Sequence, residues 1–234
     1  MTTTARPLSI FETVTFDLYK DIHKGIRSLL FTVTGDAGCL DPADDAGRAA
    51  LAGRVHGVLD LLVMHAEHED KAIQPTLALL FPDLAERVET DHLALDSRLM
   101  DLTELADVAA GVGAAHQRAV MHRLYLDLAS FTSAYLTHQD VEERVIMPAL
   151  EQAVGVPAVV DMHVAIVSSI PPDVMAESLA LMLPAMNIDD RADLLGGMRA
   201  SAPPEVFEGV WGLATSVLGV ADHRALGVRL GLGT

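Results

Sequence analysis

Residues 65–75, HAEHEDKAIQP, and residues 138–148, HQDVEERVIMP, carry one pattern twice. At identical offsets each holds a histidine, a glutamate four residues on, then an acid, a base, an isoleucine and a proline. Six agreements over eleven positions read as two copies of one unit rather than as coincidence. Residues four apart share a helical face, so each copy can present an imidazole and a carboxylate side by side.

Working outward, the two copies become the second and fourth of four long helices. Apolar residues at helical spacing predict helix over 10–34, and the Gly/Asp/Pro-rich run GDAGCLDPADDAG forms the first connection. The first copy closes a helix over about 46–75, a third helix covers about 84–108 until AAGVGAA breaks it, and the second copy lies in a helix over about 116–150. Aromatics make up only 4% of the chain, which favours helix over strand. The expected class is therefore all-α: an up-down-up-down four-helix bundle over 1–152, with additional short helices over 153–234. Pro171-Pro172, Pro184, Gly196-Gly197 and Pro203-Pro204 punctuate that C-terminal region, and Asn187 followed by Asp189 and Asp190 marks one helix start within it.

Composition removes several kinds of function. With 16 basic against 33 acidic side chains the net charge is −17, so a nucleic-acid backbone finds few cations to meet it. No nucleic-acid partner is expected. A single cysteine, Cys39, excludes an intrachain disulfide and a cysteine-based zinc site, and it fits a cytoplasmic location. No stretch reaches the roughly 18 uncharged apolar residues of a membrane span, so no membrane partner is expected. Oligomeric state is not fixed by the sequence.

The ten histidines remain to be explained. With 33 acidic residues in 234, one or two histidines should find an acid four residues on; His56/Asp60, His65/Glu69, His92/Asp96 and His138/Glu142 make four. At about 100° per residue, Glu69 lies only about 40° from His65, while Glu67 and His56 point about 160–180° away. Glu142 likewise shares the face of His138, and Glu143 and His122 do not. The first and third helices each add a histidine near an aspartate, His23 after Asp21 and His92 after Asp91. At 1.5 Å per residue, His23, His65/Glu69, His92 and His138/Glu142 all fall about 12–20 Å from one end of the expected bundle. Six such side chains buried together call for a cation. Mixed imidazole and carboxylate donors suit iron, manganese or zinc, and six are too many for one tetrahedral zinc, so a dinuclear site with Glu69 and Glu142 able to bridge fits better.

His23, His65-x-x-x-Glu69, His92 and His138-x-x-x-Glu142 resemble the hemerythrin-like, or HHE cation-binding, family over about residues 10–150. The resemblance implies a four-helix bundle around two iron ions, oxo- or hydroxo-bridged, with O₂, H₂O₂ or nitric oxide as the small ligand. Family members include oxygen carriers, sensors and proteins that decompose peroxide. The chain departs from the oxygen carriers where Asp96, not a second histidine, follows His92, and where Glu142 stands four rather than five residues after His138. One metal then lacks an expected imidazole, which favours redox turnover or sensing over reversible O₂ carriage. His163, in a DMHVAI that echoes DIHKGI around His23, is a candidate replacement. Tyr19 and Tyr135 lie on or near the ligand faces and read first as packing residues.

Overall fold

The computed structural model describes residues 14–232 and is helical almost throughout, with no strand among the described residues. Among the described residues ten α-helices follow one another: α1 (Lys20–Cys39), α2 (Asp45–Ala72), α3 (Gln74–Leu80), α4 (Pro82–Gly111), α5 (Gln117–Val141), α6 (Met147–Ser169), α7 (Pro172–Ala185), α8 (Ile188–Ser201), α9 (Pro204–Val217) and α10 (Val220–Leu230). A π-helical turn, Glu142–Ile146, joins α5 to α6.

The first helix starts later and ends later than its sequence suggests. Residues 10–13 of the expected helix lie outside the described residues, and 14–19 are not helical. There the Glu151 carboxylate accepts the backbone N–H groups of Thr15 and Phe16 at 2.8–2.9 Å, which takes those donors out of any helical ladder. At the other end Gly35 and Gly38 continue the helix instead of stopping it. Gly38 marks a close approach: a Cβ there would stand 3.1 Å from the Tyr125 ring of α5. The second helix begins where expected, because the Asp44 side chain accepts from Gly47 N–H and caps it.

Both sequence copies break the helix just before their shared proline. Proline lacks the N–H of the helical ladder and its ring crowds the carbonyl four residues back. In the first copy α2 ends at Ala72, Ile73 caps it, and Pro75 sits in the first turn of α3. In the second copy the backbone widens instead: Met147 N–H reaches back five residues to the Glu142 carbonyl, and helix resumes through Pro148 into α6. Within α6, Gly155 (φ 79°, ψ 160°) leaves helical geometry two residues before Pro157. The expected single helix over 116–150 is thus α5, a π turn and the start of α6.

The described chain divides into two compact units. The first comprises residues 14–18 and Leu29–Ile166. In it α2 packs on α4, α4 on α5, and α3 on α4. The later part of α1 meets α5 through Thr34 and Thr132, whose hydroxyls lie 3.1 Å apart, and meets α2 through Asp36 and Arg54. Its core includes the fully buried Leu30, Leu51, Leu62, Leu124 and Phe131, each such side chain contributing roughly 1.5–3 kcal/mol by leaving water. Arg48, 2% exposed, closes the far end by donating to the carbonyls of Ala109, Val112 and Pro42.

The second unit comprises Tyr19–Ser28 and residues 167–232. Leu183, Leu195, Ala214, Leu218 and Leu226 form its core, with Phe207 and Trp211 packed against them. Asn187 caps α8 by accepting from Asp189 and Asp190 N–H, and buried Arg191 donates to the carbonyls of Leu183 and Pro184 at the end of α7. Asp190 also receives the ammonium groups of Lys20 and Lys24. Burial alone would raise the Asp190 carboxyl, but these two lysines hold it below its ordinary value.

Candidate metal centre

Three elements of the first unit aim side chains at one place. α2 supplies His65 and Glu69, α4 supplies His92, and α5 with the π turn supplies His138 and Glu142. The i, i+4 spacing sets each histidine beside its glutamate: His65 Nε2 lies 3.0 Å from Glu69 Oε1, and His138 Nε2 lies 3.1 Å from Glu142 Oε1. His92 bridges the pairs, its Nε2 standing 3.1 Å from His138 Nε2 and 3.8 Å from Glu69 Oε2. Glu69, His92, His138 and Glu142 are all buried and can each offer one ligand atom within 4.8 Å of every other. Two ligand atoms on opposite sides of one ion stand about 4 Å apart, so this set can close on a cation with small adjustments.

Behind the cluster stand two carboxylates that the ligand search along the sequence did not single out. Asp70 Oδ1 is 3.2 Å from His92 Nδ1, and Asp91 Oδ2 is 3.8 Å from His138 Nδ1. The Asp70 carboxylate is within hydrogen-bond reach of His92 Nδ1 and directs its Nε2 inward, the usual arrangement around ligating histidines, while Asp91 acts on His138 through charge alone. The signal was present as an acid directly after Glu69 and an aspartate directly before His92.

Burial and close charges shift the titration of the clustered groups. Burial pushes Glu69 up to about 7, against the pull of the His138 and His92 imidazoles and of Glu142. Burial lowers His65 to about 4. On His138 burial also opposes charge, but Glu142, Glu69 and Asp91 outweigh it and raise the value. Burial lifts the Tyr135 hydroxyl well above its ordinary range, so it stays protonated; its ring meets His138 edge-on at 5.9 Å. One divalent ion would satisfy neutral imidazole lone pairs and ionised carboxylates together, and the donor set therefore fits a metal.

The remaining sequence candidates are placed as follows. His23 is fully buried on the part of α1 that belongs to the second unit, with the Tyr19 ring stacked on it at 5.1 Å. Asp96 is exposed. His56 pairs with Asp107 at 2.8 Å rather than with Asp60. His163 is outside the cluster and meets the Phe16 ring edge-on at 5.3 Å.

The family model for the Hemerythrin HHE cation binding domain matches residues 14–150. The chain belongs to this hemerythrin HHE family. The match takes in both HxxxE copies, His23 and His92, and it gives the His/Glu cluster a cation as its expected occupant. No curated protein and no solved structure matches the chain significantly.

Proposed function

We propose that the chain is a cytoplasmic non-haem di-iron protein that binds or reacts with a small oxidant, O₂, H₂O₂ or nitric oxide. The observation that carries this reading is the position of Glu69, one of whose oxygens faces His65 while the other faces His92. A carboxylate so placed is suited to bridge two ions, one served by His92, His138 and Glu142, the other by His65. The sequence argument from helical face and height names His23 as a further terminal ligand. The α1, α2, α4 and α5 neighbours then form the up-down-up-down bundle around the pair.

When bound, an iron pair supplies two adjacent redox-active Lewis acids. The residues of the chain do the rest. Asp70 holds the ring direction of His92, Asp91 adds negative charge beside His138, Tyr135 keeps its proton and walls the site, and the leucines of α2 and α5 exclude bulk water. Zinc or manganese would be held by the same donors, and iron is what the resemblance to the hemerythrin family implies.

The test is spectroscopic. Iron-loaded protein is expected to show absorption of a bridged ferric pair that changes when peroxide is added, with the response lost in Glu69→Ala. A colourless protein without bound iron after expression in iron-rich medium would overturn the proposal.

A second reading, a sensor or regulatory module without turnover, is favoured by one observation. The segment Tyr19–Ser28, which carries His23, belongs to the same unit as the C-terminal helices and is joined to α8 through Lys20 and Lys24 on Asp190. Metal-dependent protease sensitivity of residues 167–232 without turnover of peroxide supports it; identical digestion with and without metal excludes it.

A further inference from the structure

Gln139 is the first residue after His138 and is 0% exposed, yet neither its amide nitrogen nor its amide oxygen has a hydrogen-bond partner. Arg48 and Thr132, also buried in the first unit and away from the metal ligands, do have partners. Arg48 donates to three carbonyls, and Thr132, two turns earlier on the same helix, meets the Thr34 hydroxyl. A fully buried primary amide with all its capacity unmet is strongly disfavoured, and leucine or methionine would fill the same volume without that cost. Either the amide is an uncompensated defect, or its partner is a group not built from amino acids.

Its position argues for the second alternative. On a helix, Gln139 projects about 60° from Glu142 and about 100° from His138, with its Cβ about 5–6 Å from that of Glu142. It therefore stands one turn before the carboxylate that closes one side of the cluster. An amide offers two N–H donors and one acceptor, a set suited to a small oxygen or nitrogen ligand such as water, hydroxide or a short anion.

We propose that Gln139 is a binding residue of the centre, its amide N–H donating to the small aqueous or anionic ligand that occupies the cluster beside Glu142. The inference rests on the metal-centre reading above. It adds an amide hydrogen-bond donor to a centre that otherwise offers ligands for cations, the protonated Tyr135 hydroxyl and apolar walls. It also predicts that anions able to accept that bond are preferred over carbon monoxide-like ligands that accept it poorly.

The experiment uses the full chain, wild type and Gln139→Leu, with Gln139→Met as a second variant should the leucine not be accommodated. Iron content is first measured by elemental analysis. Azide is then titrated into the ferric protein and followed by absorption, and melting is recorded for the iron-loaded and iron-free forms. The expected result is normal iron content, azide binding weakened about tenfold, and a melting temperature raised in the iron-free form but not in the loaded one. Such a reversal arises only if the amide is orphaned without the centre and engaged with it. Azide affinity within twofold of wild type, or an equal rise in melting temperature in both forms, overturns the role of Gln139 and leaves the metal reading standing. Wild-type protein without metal overturns the metal reading itself, and the inference with it.

Discussion

In residues 65–75 the proline ends a helix, and the chain turns at Ile73 into the short α3; in residues 138–148 the equivalent proline is absorbed by a π turn, and helix continues into α6. The histidines diverge as well. His65 is held down to about 4 by burial, while His138 is raised because Glu142, Glu69 and Asp91 surround it. One sequence pattern has thus produced two unlike halves, and the difference comes from neighbours rather than from the motif. α4 brings Asp91 and His92 to His138, whereas His65 faces the glutamate one turn on in its own helix. The two halves share Glu69, which faces a histidine of each kind.

Predictions follow from this asymmetry, beginning with the largest effect. Chelating the metal removes the group that satisfies both halves; at metal a thousandfold above its dissociation constant this is worth about 4 kcal/mol. Calorimetry should record a fall in melting temperature of about 10 °C for a chain of this size. Next, His138→Ala leaves Glu142 buried opposite an empty space and should cost about 3 kcal/mol in stability or metal binding. His65→Ala, after which Glu69 still faces His92, should cost about 1–2 kcal/mol. Equal losses, measured by denaturant titration and metal competition, would break the asymmetry.

A smaller separation concerns the outer carboxylates. Asp91→Asn and Asp70→Asn should each lower metal affinity about tenfold, read by competition with a chromogenic chelator, without changing the helical content. A further prediction concerns the metal-free chain. Glu69 has a folded value of about 7, above its unfolded value of 4.5, so its contribution is fully present below 4.5 and is lost as pH rises through about 7. Stability of the metal-free protein should decline over that window, and Glu69→Gln should remove the decline.

The fold class was legible because helical periodicity, capping and proline placement are local. Asp44 and Asn187 cap the helices where the residue types say they should. Local signals failed where a distant group intervened: Glu151 accepts the N–H groups that would have opened the first helix, and Gly38 serves contact with Tyr125 rather than termination. In the site, the paired HxxxE spacing and His92 identified the cluster because i, i+4 geometry is contained in the sequence. Asp70, Asp91 and Gln139 were harder to find, since their meaning depends on what the neighbouring helices place beside them. The π turn was invisible for a similar reason: two prolines at one offset gave two different backbones.

The central claim, that Glu69 joins two metal positions in a buried His/Glu cluster, is tested most directly by counting metal per chain in protein purified from iron-rich medium. Wild type should carry about two ions, and Glu69→Ala should lose metal from both halves while staying folded and helical. Metal-free wild type, or a Glu69→Ala variant with an undiminished complement, would contradict the account.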